Sequence, residues 1–131
     1  MPALFIVLFI VTFFPMILAF IGGYLRYRQV NKFDNRHPRA QQAELTGMAA
    51  RVLAAQKNAW EALIFYSAVT LLAFYSSVNL RDLSEAAILF LACRILHPIF
   101  YALDMALFRS LIFIVGWLSC VYIAIRAFTA V

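Results

Sequence analysis

The chain has 131 residues, of which 66% are hydrophobic and 13% charged, and a formal net charge of +5; its mean hydropathy is +0.89. Soluble domains are about 45–50% apolar and about 25% charged, so a soluble enzyme, a disordered segment and a free nucleic-acid-binding module are poor fits, and no nucleic-acid partner is expected. The basic residues stand beside apolar runs, which assigns the positive charge to a membrane surface.

A bilayer core needs about 20 mainly apolar residues per helix, and four segments qualify. The first, about 2–25, has no charged side chain. With Pro15 in its middle, no basic residues before it and no A-x-A site, it reads as a retained helix and not a signal peptide. A basic loop follows at about 26–49, carrying Arg26, Arg28, Lys32, Arg36, His37 and Arg39 and broken by Asn35, Pro38 and Gly47. The other helices are expected at about 50–78, 86–103 and 110–130. The chain is therefore expected to be a single all-α integral membrane domain of four transmembrane helices in a lipid bilayer. Most Lys and Arg lie in the first and third links, so the positive-inside rule puts those links in the cytoplasm and both termini outside. Cys93 and Cys120 fall in apolar stretches and read as small buried apolar residues, with no disulfide and no metal site.

The exceptions to the apolar pattern carry the information. Helices two and three contain Lys57, Asn58, Glu61, Arg94, His97 and Tyr101, although a charge at the bilayer centre costs about 2.5–3.5 kcal/mol. With Arg51 and Asp104 as the cytoplasmic helix ends, Glu61 and Arg94 both lie about 15 Å deep, Asn58 and His97 about 10 Å, and Ala54 and Tyr101 about 5 Å. Each set shares one helix face. Two polar stripes are thus expected to face each other, with Glu61 and Arg94 closing the deep end as an ion pair. Such residues also hydrogen-bond helices together without binding anything, and His97 or Tyr101 taken singly reads as packing or interfacial. Arg109 and Ser110 stand at the expected start of helix four. Ser110 is a candidate cap, and Arg109 beside a helix N-terminus is either an anion or thiolate site or an ordinary snorkelling arginine.

The segment RVLAAQKNAWEALIFY, with Arg51 followed by the A-Q-x-N-x-x-E pattern, and the segment RILHPIFYALDMALFRSLIFIVGW together resemble the helix-two and helix-three/four signatures of the MAPEG family (membrane-associated proteins in eicosanoid and glutathione metabolism), and its short bacterial members most. The resemblance implies a homotrimer in the bacterial inner membrane, with glutathione as co-substrate bound between subunits. It implies a glutathione-dependent transferase or peroxidase acting on lipophilic electrophiles or hydroperoxides. By position it makes Lys57, Asn58, Glu61, Arg94, His97, Tyr101 and Ser110 glutathione-binding residues and Arg109 the activator of the thiol. Ala54 departs from the pattern where several members carry an Arg, and Phe113 where some carry a Tyr. A non-catalytic lipid- or glutathione-binding or scaffold protein of the same fold is the alternative. A small transporter ranks low, because the first helix has no carboxylate.

Overall fold

The structure, a computed structural model, describes residues 1–130. Helices account for almost all of them: α1 (Ala3–Thr12), α2 (Phe14–Val30), the short α3 (Pro38–Ala43), α4 (Gly47–Tyr75), α5 (Ser84–Ala102) and α6 (Ala106–Thr129), with a 3₁₀ turn at Leu80–Leu83. Three helical segments are long and apolar enough to cross a membrane: Ala3–Val30, Leu80–Ala102 and Ala106–Thr129. The 29-residue α4 spans about 43 Å at about 1.5 Å per residue, which is ample length. Its polar residues are what keep it below the apolarity of the other three.

The helix boundaries follow local chemistry. Pro15 lies in the first turn of α2, where its missing N–H is harmless, so α1 and α2 meet at Phe13 with only a local break. The first rod runs to Val30, past the expected Leu25, because Tyr24, Arg26, Tyr27 and Arg28 continue the helix. Asn31, in the left-handed region at φ 50°, ends it. In the loop, Asp34 accepts hydrogen bonds from the main-chain N–H groups of Arg36 and His37, both at 2.9 Å. Chiefly the His37 N–H holds its carboxyl below the usual carboxylate range. The stabilisation that the carboxylate gives this turn is therefore full above that range and falls away as pH drops through the lowered value.

Apolar packing is unequal along the bundle. Towards the end formed by the α4–α5 link, Leu4, Val7 and Val11 pack with Tyr66, Val69, Ala73, Leu83, Ala87, Phe90, Cys120 and Ile123 in one dry core. The buried ring of Tyr66 stacks on Phe90 at 4.2 Å, and its hydroxyl donates to the Leu4 carbonyl at 3.2 Å. Towards the basic loop the buried core shrinks to Leu18, Val52 and Ala55. Large apolar side chains such as Phe9, Phe20, Ile64, Leu107 and Phe128 face outward from all the long rods, as a lipid-embedded surface requires.

The α5–α6 connection is only Leu103–Met105 and is tightly wound. Leu103 N–H donates to Ile99 O (3.0 Å), Asp104 N–H to Tyr101 O (3.1 Å) and Met105 N–H to Phe100 O (2.9 Å). Asp104 takes φ 59°. This is the Schellman arrangement with an aspartate where glycine is usual. Asp104→Gly is expected to shift stability by no more than about 0.5 kcal/mol. Asp104→Val, branched and forced left-handed, is expected to cost about 1–2 kcal/mol; thermal denaturation in detergent measures both.

Candidate functional site

Arg94 on α5 is the most consequential buried group, at 5% exposure. Its Nη1 donates to Asn58 Oδ1 at 2.9 Å, and Asn58 Nδ2 donates in turn to Glu61 Oε2 at 3.5 Å. A guanidinium only donates and a carboxylate only accepts, so an amide between them has one orientation that satisfies both. The second link is long, and Glu61 is exposed. Its carboxylate therefore keeps most of its acceptor capacity open. Among the described residues Arg94 Nε has no hydrogen-bond partner. Gly116 on α6 makes room for the guanidinium: a Cβ there would meet Cys93 Cβ at 3.2 Å and Arg94 Nη2 at 3.4 Å.

These groups wall a cleft of about 210 Å³ between α4, α5 and α6. Asn58, Glu61 and Phe65 line it from one side, Phe90 and Arg94 from the second, and Phe113, Trp117 and Cys120 from the third. Its rim residues Glu61, Phe113 and Trp117 are exposed on the flank of the bundle.

A second group lies nearer the basic loop. His97, 4% exposed, meets Tyr101 edge-on at 5.6 Å and Phe113 at 6.4 Å. The Arg109 guanidinium sits 4.5 Å from the centre of the Tyr101 ring, a cation–π distance. An aromatic ladder thus connects α6 to the α5 stripe. The molecule thus presents a carboxylate on the cleft wall and, nearer the loop, a cation resting on a ring.

Two expectations are corrected. Among the described residues Glu61 and Arg94 form no ion pair; the amide of Asn58, one turn nearer the loop, takes the guanidinium instead. The reason lies at the helix ends. Asp104 has already left α5, so the level partner of Arg51 is Ala102, whose carbonyl accepts from Arg51 Nε at 3.1 Å. The facing register is displaced by two to three residues, about 3–5 Å. Ser110 is not a cap. Helix α6 begins at Ala106, with Met105 before it and no side-chain capping bond, so Arg109 and Ser110 lie inside the helix.

Lys57 is exposed on α4 and Ser110 on α6; among the described residues neither has a hydrogen bond, ion pair or ring contact to the two groups described. Gly116 and the Arg51–Ala102 contact were not among the candidate site features read from the sequence. For the first, the available signal was the Val115–Gly116 pair at the end of the quoted helix-four run, which does not say what the glycine faces.

The MAPEG family model matches residues 2–129 of the chain. No curated protein and no solved structure gives a significant match.

Hydrogen bonds to charged groups contribute about 1.5–3 kcal/mol. Asn58→Leu, which strands the Arg94 guanidinium, is expected to destabilise the protein by about that amount. Glu61→Gln, at the exposed end of the line, should cost less than about 1 kcal/mol. Equal losses in chemical denaturation would contradict the ordering.

Proposed function

We propose, on the premise that the chain belongs to the MAPEG family, that it is a membrane glutathione transferase or peroxidase. Membership and three apolar helices make it a multi-pass membrane protein. The polar α4 is the fourth crossing in this reading, with both termini outside the cytoplasm of a bacterial inner membrane. The observation that carries the function is the line Arg94–Asn58–Glu61, which ends in an underused carboxylate on the wall of a cleft.

Glutathione supplies an ammonium, two carboxylates and a thiol. Glu61 receives the ammonium, and Asn58 and Arg94 hold the Glu61 end of the site in place. His97 and Tyr101 contact the peptide; Lys57 and Ser110, which join neither group within one subunit, have no part in this step. Arg109 stabilises the thiolate. The thiolate sulfur then attacks an electrophilic carbon of a lipophilic substrate from the bilayer; a C–S bond forms, and a leaving group departs with its electron pair. With a hydroperoxide, two glutathiones are oxidised to the disulfide, and the hydroperoxide is reduced to an alcohol and water.

Oligomerisation belongs to the same reading. Glu61 and Lys57 are exposed near the middle of α4, where lipid contact would cost about 2.5–3.5 kcal/mol per charge. A neighbouring subunit in a homotrimer covers that flank and closes the cleft. A second reading, a glutathione- or lipid-binding protein without turnover, draws on Ala54, which provides no cation, and on Phe113, whose ring reaches the His97 neighbourhood without a hydroxyl.

A thiol with pKa about 8.5 is only a few per cent ionised at pH 7. Arg109→Ala is therefore expected to lower kcat by about ten- to thirty-fold at pH 7. The deficit should shrink as pH rises through the free thiol pKa, because the unaided thiol then ionises. Unchanged kcat at saturating glutathione would remove Arg109 from the chemistry. Glu61→Gln is expected to raise KM for glutathione about ten- to hundred-fold, the equivalent of one charged hydrogen bond. Saturable binding with no turnover on any electrophile or hydroperoxide would select the second reading.

A further inference from the structure

We propose that Arg51 is a positioning residue, which fixes the α5–α6 turn so that Arg109 rests on Tyr101; the catalytic consequence depends on the function proposed above.

The last carbonyls of a helix lack intrahelical donors. At the end of α5 the wound turn supplies three of them, with Leu103 N–H on Ile99 O, Asp104 N–H on Tyr101 O and Met105 N–H on Phe100 O. The Ala102 carbonyl is left over, and Arg51 Nε donates to it at 3.1 Å from α4. A cation in the second turn of its own helix gains nothing from that helix's positive end. At the negative end of α5 it is favourably placed. The two residues are 51 apart in sequence, so this bond ties the loop-side end of α4 to the only connection between α5 and α6.

What hangs on that connection is the second half of the site. Tyr101 immediately precedes Ala102. Only Leu103–Met105 separate the two helices, and Arg109 follows one turn into α6, with its N–H on Met105 O at 3.0 Å. Asp104 takes the left-handed position of the turn, and among the described residues Arg51 supplies the one bond that fixes this turn against α4. Without Arg51, the Ala102 carbonyl has no protein partner at this place. The turn is then free to rewind, and the 4.5 Å contact between the Arg109 guanidinium and the Tyr101 ring loses its fixed base.

The test compares full-length wild type, Arg51→Met, which keeps the apolar stem, and Arg51→Lys, which keeps a donor, in one detergent or nanodisc. Amide hydrogen exchange and the pH dependence of kcat are measured on all three. Arg51→Met is expected to raise exchange at 103–109 at least about ten-fold while the 84–94 half of α5 stays as in wild type. It should also move the acid limb of kcat to higher pH with KM for glutathione changed less than about two-fold. Arg51→Lys should restore both. Wild-type exchange and an unmoved pH profile in Arg51→Met would overturn the proposal. So would exchange raised uniformly along α5 and α6, which denotes general loosening. If the wild-type protein itself turns over no electrophile or hydroperoxide, the transferase reading fails, and exchange at 103–109 decides the positioning role alone.

Discussion

A guanidinium inside an apolar bundle must be given partners, and the Arg94–Asn58 hydrogen bond is the constraint around which the rest of this structure is arranged. Arg94 cannot shed its proton as a buried lysine does. It is therefore accommodated rather than neutralised: by the Asn58 amide, by the Phe90 ring 5.6 Å from its guanidinium, and by the absence of a side chain at Gly116. The amide then transmits a single polarity outward. Its oxygen is committed to Arg94, so only its N–H₂ can face Glu61. The carboxylate is held at the cleft wall without being consumed by an ion pair.

This arrangement divides the bundle along its length. The half near the α4–α5 link is dry, with aromatic stacking and small residues at the helix contacts. The half near the basic loop gives up apolar packing for His97, Tyr101 and Arg109, tied together through rings. In the proposed function a polar peptide with a thiol approaches the second half, and an apolar electrophile arrives along the lipid-facing flanks. The family model matches residues 2–129, and the geometry leaves a carboxylate available in the middle of α4, where lipid contact is costly.

Much of this was legible beforehand because membrane helices obey few rules. Long apolar runs gave four expected spans, and three of them coincide with helices that are long and apolar enough to cross a membrane. The three- and four-residue spacing of Asn58 with Glu61 and of Arg94 with His97 and Tyr101 put them on common faces. Depth was less legible, since it depends on where a helix stops. Asp104 adopts a left-handed turn that no periodicity reveals, and the resulting slip exchanges Glu61 for Asn58 as the partner of Arg94. The start of α6 was misplaced for a related reason. Ser110 is a good capping residue by type, but Ala106–Phe108 already belong to the helix, so its hydroxyl has no free helix end to cap. Gly116 and the Arg51–Ala102 bond are properties of contact between distant helices, and one chain of letters does not encode which glycine faces a guanidinium.

Calorimetric titration of glutathione into the detergent-purified protein tests the central claim, that the Arg94–Asn58–Glu61 line holds a ligand rather than only holding helices together. The account predicts a saturable heat in the wild-type protein that disappears in Glu61→Gln while the variant's thermal unfolding stays close to wild type. A titration with no saturable heat in the wild type, or one that Glu61→Gln leaves unaltered, would contradict it.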